Sequence, residues 1–224
     1  IYFFRGAYKP YRPSLRKVRL SYVKSLFGLG AFFFVIQLSA IIQYESANII
    51  IAREFGPAEV TSYNIVYRYF GILSMVFTIF LSPFWSASTE AFINKDFHWI
   101  RNSIRKYSWL NVALMAVGCL MLIFSEKVYD MWLGKDTVRI DYMLSFWGFM
   151  FFCVSMFGSK YVSLLNGISA VRLQFIASLI SPLLYILTVY ILINCYKMGV
   201  YSVFIASIAA NFNAILLAPV QYYQ

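Results

Sequence analysis

The residues best able to do chemistry are polar side chains set among apolar ones in residues 45–78. They comprise a carboxylate, a guanidinium, two amides, a phenol and two hydroxyls: Glu45, Arg68, Asn48, Asn64, Tyr67, Ser74 and Thr78. A guanidinium presents a planar fork of donors that suits a pyrophosphate. A carboxylate in a poorly solvated place can exchange a proton or a small cation, or compete with an anionic ligand for the guanidinium. We therefore predict that Arg68, Asn64, Tyr67, Ser74, Thr78 and Asn48 bind a substrate and that Glu45 couples to an ion.

Helical spacing places most of these residues on one side of a single helix. With about 100° per residue, the polar and small residues lie within about 80° of Asn64: Tyr67, Arg68, Gly71, Ser74, Thr78, Ser82, Trp85, Ser86 and Thr89. The opposite side is apolar: Val66, Tyr69, Phe70, Leu73, Val76, Phe77, Phe80, Leu81 and Phe84. A continuous polar stripe predicts a helix that lines a water-filled cavity while its apolar side contacts lipid. The alternative is a dry seam of small residues joined by hydroxyl hydrogen bonds.

The preceding apolar run has a weaker polar arc of about 100°, formed by Gln37, Ile41, Tyr44, Glu45 and Asn48. The two runs predict a tight hairpin around Gly56, so residues equally far from that glycine lie at similar depth. Asn48 and Asn64 are equidistant, and Glu45 and Arg68 nearly so. We therefore expect the carboxylate and the guanidinium to meet inside the membrane, about 12 Å from its external face. A permanent structural ion pair is the alternative to a functional one.

Composition places these residues in a membrane protein. Of 224 residues, 61% are hydrophobic, 20% aromatic and 12% charged, whereas soluble domains carry about 25% charged residues. Such a chain cannot cover its apolar surface with polar groups, so lipid must supply part of its solvent. The formal net charge of +10 does not indicate a nucleic-acid partner, because the basic residues interrupt apolar runs. The chain begins without Met, and we expect membrane-embedded sequence upstream.

Six apolar runs predict a bundle of six transmembrane helices, an all-α fold. Their bounds are Leu26–Ile51, Val60–Phe92, Trp109–Phe124, Tyr142–Leu165, Val171–Cys195 and Val200–Pro219. Helix breakers follow three of them, at Gly56-Pro57, Gly134 and Asn166-Gly167. The third run is short and is expected to extend back towards Lys106. Gly71, Pro83, Pro182 and Pro219 are candidate bending points.

The distribution of the 19 Lys and Arg residues predicts the orientation. Thirteen lie in three segments: before the first run, between the second and third runs, and at the connection of the fourth and fifth runs. Lys160 and Arg172 are assigned to the last of these segments. These segments are therefore predicted to be cytoplasmic. Residues 1–25 form a basic segment, either a solvated linker or an amphipathic stretch on the anionic inner leaflet, and residues 26–224 form the helical lobe.

Neither a metal site nor an enzyme active site is indicated. Cys119, Cys153 and Cys195 lack ligand spacing and are interpreted as small packing residues. The single histidine, His98, follows Asp96 by two residues, which would separate the two side chains on a helix. A glycan-modifying membrane enzyme is therefore disfavoured, and a solvated loop histidine is expected. A non-transporting scaffold would instead require the polar stripe to be sealed from water.

Three stretches resemble the second half of Wzx-type polysaccharide flippases. Residues 48–64, continuing through Arg68 and Phe70, resemble that family's seventh-to-eighth helix hairpin. Residues 129–136 resemble its external loop after the ninth helix, and residues 165–174 its tenth-to-eleventh cytoplasmic connection. Arg12-Pro13-Ser14 is similar to the segment that joins the two lobes.

The resemblance implies one lobe of a two-lobe exporter of the multidrug/oligosaccharidyl-lipid/polysaccharide superfamily, with the helices equivalent to helices 7–12. It implies flipping of an undecaprenyl-pyrophosphate-linked oligosaccharide across the bacterial inner membrane by alternating access, for O-antigen or capsule assembly. The partners would be that lipid-linked oligosaccharide, membrane lipids and the N-terminal lobe. No cofactor is implied beyond H⁺ or Na⁺ coupling. The close alternative is a drug or small-molecule exporter of the same superfamily.

Overall fold

The computed structural model describes residues 21–134 and 138–223, apart from the side chains of residues 21–26 and 29. Every regular element in these two ranges is helical: α1 (Ser21–Glu54), α2 (Pro57–Ile93), α3 (Phe97–Ile123), α4 (Ser125–Leu133), α5 (Tyr142–Gly167), α6 (Arg172–Asn194), α7 (Ser202–Ala210), a π-helical segment (Asn213–Leu217) and α8 (Ala218–Tyr223). Almost all of the basic 1–25 segment lies outside the described residues, as do Lys135 and Asp136.

Within the described residues, five helices are long and apolar enough to cross a membrane, and a sixth span results if the bent pair 202–210 and 213–223 is counted as one. The prediction of an all-α membrane bundle is confirmed. Helices are the expected solution, because in hydrocarbon each backbone N–H and C=O must be satisfied within its own segment. The third span is longer than predicted, since α3 begins at Phe97 instead of Trp109.

The predicted helix breakers terminate helices. Gly56 has a φ of 94° before Pro57, which occupies the first turn of α2; that φ favours glycine, and proline suits the first helical position. Gly134 ends α4 with a φ of 90°, and α5 ends at Gly167. At the start of α3, the Asp96 side chain accepts a hydrogen bond of 2.9 Å from the Trp99 amide, an N-cap arrangement.

Two segments differ from the sequence interpretation. The last span is not one straight helix, because α7 and the segment 213–223 meet at a 47° bend. Part of the expected external loop at 129–136 is helical, since α4 runs from Ser125 to Leu133. Tyr129 on α4 is buried and lies 3.2 Å from Ser145 through their hydroxyl oxygens, which anchors α4 on α5.

Helix α5 is the centre of the bundle and packs against α2, α3, α7, α8 and the π-helical segment, while α1 packs mainly against α6. The apolar side of α2 faces this core: Val66, Tyr69, Phe70, Leu73, Phe77, Leu81 and Phe84 are buried. The expectation that this side contacts lipid was therefore wrong for those residues. Both environments select apolar side chains, so the pattern along one helix did not distinguish them.

Glycines on α5 allow its neighbours to approach closely. A Cβ added at Gly158 would collide with the Cβ of Ala214 and lie 2.6 Å from its carbonyl oxygen. At Gly148 the added Cβ would collide with Val66 of α2. Small residues at helix contacts are typical of membrane bundles, since lipid supplies no hydrophobic drive for association and close packing must replace it.

We predict that Gly158→Ala lowers the stability of the bundle, because the obstructing atoms belong to the backbone at Ala214 and cannot rotate away. Overpacking of this kind costs about 1–3 kcal/mol. The measurement is thermal unfolding of the purified protein in detergent. Gly30→Ala is the matched control, since a Cβ at Gly30 meets nothing within 4 Å. An equal melting temperature for both variants would contradict the prediction.

Candidate functional site

The outward face of α2 forms an open groove in the middle of the helix. Its volume is about 700 Å³, and its lining is Tyr67, Gly71, Ser74, Met75, Thr78, Ile79, Ser82 and Phe152. The Thr78 hydroxyl donates a hydrogen bond of 2.8 Å to the Ser74 carbonyl on the preceding turn. Such a bond leaves the lone pairs of the hydroxyl oxygen free for a ligand or water. The predicted stripe residues Ser74 and Thr78 therefore lie together, facing away from the core.

The outer face of α2 is more polar than that of α6. Along α6 the exposed side chains inside the span are apolar, among them Leu179, Leu183 and Leu187. An apolar outer face is what contact with lipid requires. The outer face of α2 instead carries hydroxyls and Arg68 among exposed apolar side chains such as Met75 and Ile79, although its inner face is mostly apolar. An outer face of that composition suits contact with water or with another protein segment.

Arg68 and Glu45 are both exposed, and they do not form the expected ion pair. Among the described residues, the carboxylate–cation contact within 4.0 Å is Arg53 Nε to Glu54 Oε1, at 3.9 Å. The residues that meet between α1 and α2 are the preceding pair, Tyr44 and Tyr67, whose ring centroids are 5.2 Å apart. One further residue turns a helix by about 100°, which carries Glu45 and Arg68 off the contact line. The sequence predicted how deep each residue lies along its helix, but it did not predict the direction in which each side chain points around that helix.

The equal depth predicted for Asn48 and Asn64 is confirmed. Asn64 Nδ2 donates to Asn48 Oδ1 at 2.9 Å and to the Val60 carbonyl at 2.9 Å. Its Oδ1 accepts a hydrogen bond of 3.3 Å from the Tyr44 hydroxyl. Both N–H groups of the Asn64 amide are thus engaged, and the two asparagines join α1 to α2 beside the exposed Arg68.

Tyr67 belongs to an aromatic cluster at the end of the groove nearest the start of α2. Its ring lies 5.1 Å from Phe152, 6.0 Å from Tyr63 and 6.2 Å from Phe151 between centroids. Pairs at these distances add about 0.5–1.5 kcal/mol to ordinary burial. The cluster fixes one wall of the groove, whereas Arg68, the next residue along α2, is exposed and is not part of the groove lining.

The structure also contains an interior polar cavity that the sequence interpretation did not identify. It measures about 320 Å³, and its polar lining comprises Ser39, Gln43, Ser155, Ser159, Gln174, Ser178, Ser181, Asn211 and Asn213. A smaller chamber of about 240 Å³ shares Gln43, Ser181 and Asn211 with it and extends to Tyr44 and Tyr67. The buried Gln174 Oε1 has no hydrogen-bond partner among the described residues, so the space suits water.

A signal for this cavity was present in the sequence. Ser39 and Gln43, Ser155 and Ser159, and Gln174 and Ser178 are each four residues apart, which puts each pair on one face of α1, α5 or α6. The Ser181 hydroxyl, one turn beyond Ser178, lies 2.7 Å from the Ala210 carbonyl and 3.2 Å from Gln43 Oε1. Each pair alone resembles ordinary helix polarity, and their convergence is visible only in three dimensions.

Lys160 differs from its sequence interpretation. It was counted with the cytoplasmic connection after the fourth span, but it lies inside α5 and is 1% exposed. Its ammonium is 4.4 Å from the Phe157 ring centroid and 5.1 Å from that of Tyr161. Aromatic faces attract a cation more strongly when it is desolvated.

His98 is exposed and lies in the first turn of α3, not in a loop. The neighbouring Asp96 is engaged as the α3 N-cap, so this pair shows no acid–base arrangement. In the two described ranges, no three His, Cys, Asp or Glu side chains are grouped to hold a metal ion.

Comparison with known proteins gives one informative relative. The chain is 24% identical over 153 residues to a protein of Salmonella typhimurium (strain LT2) described as a candidate O-antigen transporter. The match covers 64% of this chain and 34% of the relative, so the chain spans about a third of that protein's length. No protein-family profile matches the chain. No solved structure matches it either. Together with the membrane helices, this similarity supports a transporter at a general level.

We predict that the α2 groove is accessible to water. In the full-length protein, Ser74→Cys and Thr78→Cys should react with a membrane-impermeant maleimide at least about tenfold faster than Phe77→Cys, because only a hydrated thiol ionises and reacts readily. Phe77 is 1% exposed and lies on the same helix, which makes it a control for depth. Equal protection of all three thiols would support the dry-seam alternative.

Proposed function

We propose that this chain is one lobe of a membrane transporter that flips a lipid-linked oligosaccharide across a bacterial inner membrane. The observation that carries the proposal is the row of polar side chains on the outer side of α2. The mostly apolar side of this helix is buried in the lobe, while hydroxyls and the exposed Arg68 guanidinium occupy its outer side. The similarity of this chain to the Salmonella protein described as a candidate O-antigen transporter agrees with this assignment.

The physical problem of flipping is the headgroup. Transfer of an unpaired charge into hydrocarbon is unfavourable by tens of kcal/mol on Born arithmetic. A hydrated groove lowers this barrier, since the sugar hydroxyls can exchange hydrogen bonds with Ser74, Thr78 and Ser82. The lipid tail can stay in the bilayer because the α2 groove is open along its side.

The proposed function requires a second wall. The α2 groove is shallow, and a single lobe cannot enclose a diphosphate. A facing lobe, supplied by residues outside this chain, would close the groove into a central cavity. Its presence would also explain why the outer face of α2 is more polar than a lipid-facing helix allows.

Within this cavity we assign Arg68 to the substrate diphosphate. Arginine forms paired, charge-assisted hydrogen bonds with phosphate oxygens, and the exposed Arg68 is not committed to Glu45. Asn48, Asn64 and Tyr67 would hold the helices on which it is presented. Glu45, also exposed, would take up a proton or a cation during the return step.

The test is a transport assay with charge-matched variants of the full-length protein in cells that depend on it. Arg68→Ala should lower the export of lipid-linked sugar at least about tenfold, since a charge-assisted hydrogen bond contributes about 1.5–3 kcal/mol. Arg68→Lys should retain part of the activity because the charge remains. Glu45→Gln should alter the dependence on proton or sodium gradients.

Arg53→Ala is the control, because Arg53 is an exposed arginine at the outer end of α1 and pairs with Glu54. Exposed pairs of this kind contribute about 0–1 kcal/mol, so export should change by less than about twofold. Full export by Arg68→Ala and Glu45→Gln at normal protein levels would remove both residues from the mechanism.

A further inference from the structure

A second groove lies on the other side of the lobe, where α3, α5 and α8 meet. Its volume is about 760 Å³, the largest among the cavities described above, and Arg101, Arg105, Trp109, Tyr161 and Tyr222 contribute to its lining. It shares no residue with the α2 groove or with the interior polar cavity. Transport along α2 does not use it.

The chemistry of this groove changes along α3. Arg101 and Arg105 are one turn apart near the start of the helix, and Ser108, Trp109 and Val112 continue the same face for about 10 Å beyond Arg105. Both cations therefore lie at the end of the groove nearer the start of α3, where Phe97, Ile100 and Ile104 also line it, and the lining beyond Ser108 is without charge. No carboxylate is found among the side chains that line the groove, so both guanidinium charges are available to an anion.

The same face of α3 continues as an exposed apolar surface. Trp109 is 67% exposed, Leu120 57% and Ile123 69%. Another wall of the groove consists of three tyrosines in tilted and edge-to-face contact: Tyr161 and Tyr222 have ring centroids 5.4 Å apart, and Tyr222 and Tyr223 4.9 Å apart. Tyrosine and tryptophan at the end of a membrane span are typical of the headgroup level.

We propose that this groove binds an anionic phospholipid of the cytoplasmic leaflet. The phosphate would lie against Arg101 and Arg105, and one acyl chain would follow Trp109 and Val112 towards the exposed apolar face of α3. Basic pockets between membrane helices on the cytoplasmic side suit anionic headgroups, and the positive-inside count puts the start of α3 on that side. The complementarity of charge, together with the apolar continuation, favours a lipid over a soluble anion.

Bound lipid would secure the end of α3 to α8. The groove is formed between these helices, so a ligand that contacts Arg101 on one side and the tyrosines on the other bridges them. The site would thereby make the lobe sensitive to the proportion of anionic lipid in the membrane.

The test uses Trp109 as a reporter in the full-length protein, reconstituted in vesicles that contain brominated phosphatidylglycerol or brominated phosphatidylcholine. The contribution of Trp109 is the difference in quenching between the parent and Trp109→Phe. We expect the parent to prefer the glycerol lipid by about thirtyfold, because each of two juxtamembrane cations contributes about 1 kcal/mol.

Charge-matched variants test the role of the groove. Arg101→Gln/Arg105→Gln should reduce the preference to near unity, and Arg101→Lys/Arg105→Lys should keep most of it. Lys106→Gln/Arg172→Gln removes the same charge from exposed residues outside the groove and should leave the preference intact.

Three results would overturn the proposal. Equal quenching of the parent by both lipids would show no selectivity, and no quenching by either would mean that a protein segment covers Trp109. Displacement of the glycerol lipid by millimolar inorganic phosphate would identify a soluble anion as the ligand. The comparison of the two lipids needs only the parent and Trp109→Phe, so misfolding of an arginine variant does not prevent a decision. The quenching readout is also independent of transport along α2.

Discussion

The arrangement of this lobe depends on the cost of leaving a polar group in hydrocarbon without a partner. Three groups of polar side chains show how the fold meets this cost. Several neutral ones line the cavity between α1, α5 and α6. Most cations lie near helix ends or in the connections between helices. Hydroxyls and Arg68 occupy the outer face of α2. The first two arrangements solve the problem within the lobe. The third does not, and for that reason the outer face of α2 is the surface on which the functional argument depends.

Much of the fold was predictable from sequence because membrane solvation restricts the choices. Apolar runs of about 20 residues can be satisfied only as helices in this setting, and Gly56-Pro57 and Asn166-Gly167 mark ends that local geometry enforces. The break after Ala210 was not predictable. Neither glycine nor proline occurs at 211–213, and Pro219 lies nine residues beyond Ala210, the last residue of α7. The Ala210 carbonyl is paired with Ser181 of another helix, a contact invisible in a single segment.

The candidate site was predictable in one dimension only. Helical period identified the stripe that contains Ser74 and Thr78, and hairpin symmetry gave the depth of Asn48 and Asn64. Hairpin symmetry does not give the direction of a side chain around its helix. For that reason we expected Glu45 and Arg68 to form an ion pair, and in the structure they do not. The apolar face of α2 was assigned to lipid because a bundle core and a lipid tail select the same side chains. Burial of Phe70 and Phe77 resolves that ambiguity, and α6 supplies the contrast, since its exposed side chains inside the span are apolar as contact with lipid requires.

The length of α2 has a mechanical consequence. The helix continues from Pro57 to Ile93 through Pro83, 37 residues in all, which corresponds to about 55 Å at 1.5 Å per residue. Both ends of the helix therefore extend past a hydrocarbon layer of about 30 Å. If the lobe turns as one body, a rotation of about 10° around the midpoint of α2 displaces each end by about 5 Å in opposite directions. The space beside one end then widens while the space beside the other narrows, so a single movement changes access from both sides of the membrane at once.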